Sequence, residues 1–151
     1  MPVNLTAFYT SFFSTMAFGI LFNVPRRLLP SGGLIGMLGW VIYTFLMELP
    51  RFNMASATLA AAFTIATLSQ FLARYHKMPA TLFSISGIIP LVPGGLAYDT
   101  IREFMANNYA EGIQLGTKTL VIAGAIAFGL ILSGVLSDSL HRFKHPLKNN
   151  S

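Results

Sequence analysis

Charged positions divide this chain into long uncharged blocks. Five stretches contain no Asp, Glu, Lys or Arg: Met1–Pro25, Leu28–Met47, Phe52–Ala73, Met78–Tyr98 and Thr119–Ser137, each 19 to 25 residues long. A helix rises about 1.5 Å per residue, so about 20 apolar residues cross a hydrocarbon core of about 30 Å. Lipid offers no partners to backbone amides, so a crossing segment must be a helix or part of a closed barrel. The runs are continuously apolar and do not alternate with period two, which selects helices. The pattern predicts an all-α membrane protein: a bundle of about five transmembrane helices, the fourth interrupted at Pro-Gly-Gly.

The expected spans run from about Leu5 to Phe22, Ser31 to Met47, Phe52 to Ala73, Pro79 into the Pro-Gly-Gly break, and Thr117 to Leu136. Asn23-Val24-Pro25-Arg26-Arg27 ends the first, and Asn23 reads as its helix cap. The second is the shortest, because Pro30 and Gly32-Gly33 delay its start. Pro79 opens the fourth, where a missing amide does no harm.

Composition agrees with this class. The chain is 54% hydrophobic and 10% charged, with a mean hydropathy of +0.63. Soluble domains carry about 25% charged residues, so this one has too little polar surface to stay in water. Its 151 residues allow one domain: a transmembrane helical unit over 1–140, followed by a basic cytoplasmic tail over 141–151. The absence of cysteine excludes disulfides and thiolate metal sites. No Lys or Arg precedes the first apolar run, so it reads as a retained helix and not a cleaved secretory signal.

The basic residues predict an orientation. With five crossings, Arg26, Arg27, Arg74, Lys77, Arg142, Lys144 and Lys148 share one side, against Arg51, Arg102 and Lys118 on the other. If the second run failed to cross, the division would be five against five. Positive residues concentrate on the cytoplasmic side. The seven-to-three division therefore predicts five crossings, with the N-terminus outside and the C-terminus inside. No basic patch is interleaved with aromatics, which argues against a nucleic-acid role.

Small residues recur at spacing four, in Gly32/Gly36, Ala57/Ala61 and Ala125/Gly129, and predict close helix contacts. One segment stands apart, Ile89-Pro90-Leu91-Val92-Pro93-Gly94-Gly95-Leu96-Ala97-Tyr98-Asp99. Pro90 and Pro93 each delete a helix donor, and Gly94-Gly95 relaxes the backbone. Such a break is tolerated in a membrane only where protein or a water-filled cavity surrounds it, and transporters use half-helices of this kind to hold substrates. A helix restarting at Gly94 and running to about Asn107 presents its positive end to an anion such as a carboxylate. Asp99, Arg102 and Glu103 share one face of that helix, with Tyr98 beside them. Two readings stay open here: a substrate or proton-coupling site, or a proline-terminated span followed by an amphipathic surface helix.

Gln70, Ser84 and Ser86 are expected to make interhelical hydrogen bonds, and His76, His141 and His145 lie in basic loops away from any metal-ligand spacing. No Ser–His–Asp grouping, phosphate loop or paired catalytic carboxylate can be assembled, so an enzyme, a metal site and a bound cofactor are not expected.

The stretches Phe18–Trp40 (FGILFNVPRRLLPSGGLIGMLGW) and 88–101 (IIPLVPGGLAYDTI) resemble the threonine/serine exporter (ThrE) family, and more closely its small membrane subunit of the YjjB type. The similarity runs from about Phe8 to Arg142. It implies a component of a bacterial inner-membrane exporter that works with a larger YjjP-type partner subunit. The split pair is associated with succinate export, and fused members with threonine and serine export, both dependent on the proton motive force. The family's pattern falls on Asn23, Pro25 and Arg26, and on Pro90, Pro93, Gly94 and Gly95. The spans hold no carboxylate for a proton relay, since Glu48, Asp99 and Asp138 all sit at span ends. The expectation is therefore an exporter subunit for a small carboxylate-bearing metabolite. Its substrate pathway is expected to include Asn23, Pro90, Pro93, Gly94, Gly95, Tyr98, Asp99 and Arg102. The competing expectations are a threonine/serine exporter component, a structural subunit that only stabilises its partner, and a passive channel.

Overall fold

The computed structural model describes residues 5–144, with side chains over 6–139. The expected tail residues 145–151 lie outside the described residues. The described chain is all helical: α1 (Leu5–Leu21), a 3₁₀ turn (Arg26–Leu28), α2 (Leu29–Met47), α3 (Met54–His76), α4 (Ala80–Ile88), a second 3₁₀ turn (Ile89–Leu91), α5 (Gly94–Met105) and α6 (Tyr109–Lys144). The regions containing α2, α3 and α6 are each long and apolar enough to cross a membrane. The stretches Ala80–Leu91 and Gly94–Met105 qualify jointly as a fourth span bent by 53°. At 17 residues α1 is shorter, reaching about 26 Å.

Local chemistry sets the helix ends. Asn53 and Ser56 form a reciprocal capping box at the start of α3, with the Ser56 amide donating to Asn53 Oδ1 at 2.9 Å. Asn23, Lys77 and Asn107 take left-handed φ values of 58°, 54° and 61° just beyond α1, α3 and α5. The cap expected of Asn23 is thus a C-terminal turn, in which the Val24 amide returns to the Gly19 carbonyl at 2.9 Å. Pro30 sits in the first turn of α2, so this helix starts at Leu29 and not at Ser31. The last helix begins at Tyr109, well before Thr117, because its first two turns pack on α5.

Side-chain contacts give the direction of every span. Gly33 lies against Phe12 and Met16, and Gly19 against Leu29, so α1 and α2 are antiparallel. The His76 and Phe83 rings lie 6.3 Å apart, while Ile65 meets Gly87 further along, so α3 and α4 are antiparallel too. Along α3 and α6, Gly129 meets Leu59 to Phe63, Ser133 meets Thr67 and Gln70, and Ser137 meets Arg74. These two helices run parallel. Helix directions alternate along the chain, and three helices among the described residues, or four counting the bent pair as one, are long and apolar enough to span, where five were expected. Arg26, Arg27, Arg74, Lys77 and Asp138 fall at one end of the bundle, with Glu48, Arg51, Asp99, Arg102 and Lys118 at the other.

Small residues make the close contacts. Ala57, Ala61, Ala62 and Ile65 on α3 are completely buried, as is Phe83 on α4. A β-carbon on Gly129 would stand 2.9 Å from the Leu59 carbonyl oxygen, and one on Gly36 would collide with Thr15. Without a hydrophobic drive between helices in lipid, such backbone proximity is the main source of attraction. The hydroxyls of Thr15, Thr58, Thr64 and Ser86 return to carbonyls of their own helices at 2.7–2.9 Å, which keeps them satisfied away from water. Gln70 does reach across to α6, as expected, whereas Ser86 donates to Leu82 within α4.

Gly36→Leu and Gly129→Leu should each destabilise the purified chain by about 1–3 kcal/mol or prevent its assembly, through overpacking. Gly124→Leu, whose added side chain starts in open space, should unfold at the wild-type temperature in detergent. Equal midpoints for all three would refute this packing account.

Candidate functional site at the broken fourth span

The helical ladder fails at the two prolines. Pro90 lies in the 3₁₀ turn after α4, and Pro93 has φ −76° and ψ 52° immediately before α5. Between them Val92 is extended, and its amide donates to the Ile89 carbonyl at 3.2 Å. The Gly94 amide donates to the Val92 carbonyl at 2.8 Å, and the first α-helical bond of α5 runs from the Ala97 amide to the Pro93 carbonyl at 3.0 Å. The amides of Gly95 and Leu96 lie in the first turn of α5, where a helix has no internal acceptor for them. A β-carbon on Gly94 or Gly95 would meet nothing within 4 Å. These glycines therefore leave the backbone approachable and fill no packing role.

A cavity of about 240 Å³ opens beside these amides. Pro90, Pro93, Gly95 and Leu96 form one side, with Trp40 and Tyr43 of α2 and Thr58 of α3 opposite. A second cavity, of about 260 Å³, lies against Thr10, Ser11 and Ser14 of α1 and shares Trp40 and Pro90 with the first. The Trp40 indole nitrogen is buried and has no hydrogen-bond partner among the described residues. An indole N–H only donates, and a buried donor left unpaired costs about 1–3 kcal/mol. No carboxylate is among the residues lining either cavity.

The residues expected to form the pathway separate into three groups. Pro90, Pro93 and Gly95 line the cavity, and Gly94 joins them through its bond to Val92. Tyr98, Asp99 and Arg102 lie further along α5, a helix without a single buried residue. Arg102 sits 3.7 Å from Asp99 and 3.2 Å from Glu103, and Asn108 holds the other Glu103 oxygen at 3.1 Å. The α5 helix packs on the start of α6 through Thr100 against Gly116 and Phe104 against Gly112. This charged cluster is exposed and internally paired, outside both cavities. Asn23 closes α1 at the opposite end of the bundle, about 18 Å along that helix from Ser11.

Trp40 is the residue that reading the sequence alone passes over. A tryptophan in an apolar helix ordinarily anchors at the membrane interface. Only the packing of α2 with α1, α3 and the second 3₁₀ turn shows that its N–H is buried beside the break.

A family model described as "Threonine/Serine exporter, ThrE" matches residues 7–136, and the chain belongs to that family. A Haemophilus influenzae protein described only as uncharacterized is 30% identical over 129 residues. The match covers 80% of this chain and 43% of the relative, so the chain spans less than half the length of that curated relative. No solved structure matches the chain.

Replacing both prolines by alanine should straighten the fourth span, because the missing donors set the bend. Spin labels at the exposed positions Ile85 and Ile101 should then move apart by about 2–3 Å on the helical rise. An unchanged distance would assign the 53° bend to packing of α5 on α6.

Proposed function

We propose that this chain is the small membrane subunit, of the YjjB type, of a two-component bacterial inner-membrane exporter for small carboxylate-bearing metabolites. Succinate is the leading substrate. One observation carries the reading: Trp40, whose indole N–H is buried without a partner among the described residues, lines the same cavity as Pro93, Gly95 and Leu96 at the start of α5. A carboxylate offers two oxygens and about four acceptor positions. The helix N-terminus supplies amide donors and a positive partial charge, and Trp40 supplies a fixed donor from the other side.

The arrangement suits transport more than storage. Neutral donors hold a carboxylate without an ion pair that would have to be broken on release. Arg102 stands further along the same helix, so its role is to attract anions towards the break; its pairing with Asp99 and Glu103 keeps it from clamping them. Asp99, the carboxylate beside Arg102 on α5, is the acidic group proposed to take part in export.

Two further features support a partner. The spans carry no acidic residue that could relay protons, and the chain spans 43% of its Haemophilus relative. A larger YjjP-type subunit would supply the remainder. The basic ends of α1 and α3 orient the chain with its N-terminus outside and C-terminus in the cytoplasm. A second reading, export of threonine or serine, draws on the family's description and on Thr10, Ser11 and Ser14 in the second cavity. These hydroxyls and carbonyls suit an amino acid's polar groups.

Export of labelled succinate and labelled threonine should be followed from cells lacking the chain, with the chain restored alone or together with its partner. Succinate export restored only by the pair supports the proposal, and threonine export instead selects the second reading. Trp40→Phe, Gly95→Leu and Asp99→Asn should each lower export about tenfold or more while the complex still assembles, a loss of about 1.4 kcal/mol in transition-state stabilisation. Normal export from all three would leave a structural subunit, and efflux that survives collapse of the proton gradient would indicate a channel.

A further inference from the structure

A second set of polar groups, unused by the break, gathers at the opposite end of the bundle. The parallel seam of α3 and α6 carries Thr67, Gln70 and Arg74 against Ser133 and Ser137. The Thr67 and Ser133 hydroxyls lie 3.0 Å apart, Gln70 Nε2 donates to Ser133 at 3.2 Å, and the Arg74 guanidinium donates to the Ser137 hydroxyl. Spacings of three and four residues put these groups on facing stripes. Ser133 is only 2% exposed, whereas Arg74 reaches the surface.

Beside this seam lies an open recess of about 590 Å³, between the C-terminal end of α3, the first turn of α4 and α6. Arg74, Lys77, Gln70 and Ser137 line it, and Asp138 is the one carboxylate among the lining residues. Two cations against one acid leave the wall with a single net positive charge. Arg74 makes no ion pair among the described residues. With one N–H on Ser137, its guanidinium has four more to offer. Lys77 takes the left-handed turn that ends α3, which brings its ammonium to the same recess. Pro79 begins α4 without a side-chain cap bond, so the first-turn amides near Ala80 also lack a side-chain acceptor.

We propose that this recess is an oxyanion-binding site that takes one carboxylate or phosphate group between Arg74 and Lys77, with Gln70 and Ser137 as neutral partners. Guanidinium pairs with either oxyanion through parallel N–H bonds, and the lysine adds a point charge. The site stands apart from the break: Thr58 and Arg74 are about 24 Å apart along α3. Its existence is independent of the export reading. Two sources carry the required chemistry, a free carboxylate or phosphate arriving from water and the phosphate of an anionic lipid at the same depth.

Thermal unfolding of the full chain in nanodiscs separates them. Phosphatidylcholine discs would receive added succinate or inorganic phosphate, and a second series would contain phosphatidylglycerol. A rise in midpoint with either free anion assigns the site to soluble oxyanions, and a rise with phosphatidylglycerol alone assigns it to lipid. In either case Arg74→Gln should weaken the apparent affinity about tenfold or more, as loss of a charge-assisted bond implies. Arg74→Lys should fall between, and Gly124→Leu, in open space away from both sites, should leave the effect intact. Should Arg74→Gln fail to fold, Lys77→Gln provides the same comparison. The proposal is overturned if no ligand shifts the midpoint, or if the neutralised variants respond like wild type. It is also overturned if Trp40→Phe, and not Arg74→Gln, abolishes the response, which would place the binding at the break.

Discussion

Everything in this bundle follows from the backbone hydrogen bond in a solvent that cannot replace it. Within lipid an unpaired amide costs several kcal/mol, so each apolar run closes its bonds inside a helix. The hydroxyls of Thr15, Thr58, Thr64 and Ser86 obey the same rule by bonding to the preceding turn. At Pro90 and Pro93 the ladder cannot continue, and the chain bends by 53°. The bend is held by packing on both sides: α1 and α2 against the 3₁₀ turn, and the first turns of α6 against α5. The cavities beside the break are what remains when straight helices pack around a bent one.

Close approach through small residues is the second requirement. The alanines of α3 and the glycines of α2 and α6 let backbones meet without intervening side chains. That proximity fixes α3 and α6 as parallel neighbours and aligns their polar stripes. The bundle thereby acquires two chemically different ends. One has Trp40 and the start of α5 beside two cavities with no carboxylate in their lining, and the other has Arg74 and Lys77 beside an open recess.

The charged cluster on α5 shows how topology changes the meaning of a motif. On the sequence, Asp99, Arg102 and Glu103 are one helical turn from the Pro-Gly-Gly break and read as part of its chemistry. In the fold α5 leans on the start of α6, and the cluster lies outside the cavities, paired with itself. Proximity along the chain put it near the break, and the packing of α5 on α6 leaves it outside both cavities.

Much of the architecture was legible in the sequence because a membrane makes stringent demands. The uncharged runs, the alternating crossings, the interruption at Pro90–Gly95 and the restart at Gly94 all follow from length, charge and missing donors, which are local properties. The extension of α6 back to Tyr109 was not legible, since those first turns are stabilised by α5, a contact with no local signature. Nor was the role of Trp40. Its indole N–H is an ordinary interfacial group until α1, α3 and the second 3₁₀ turn pack around it. The pairing of Gln70 with Ser133 and of Arg74 with Ser137 likewise needed the parallel alignment of helices more than 60 residues apart. The sequence by itself determined where the backbone must be helical and where it must break, because hydrogen-bond supply is written residue by residue. Only the tertiary structure decided which side chains share a cavity, because that depends on how helices remote along the chain approach and turn against one another.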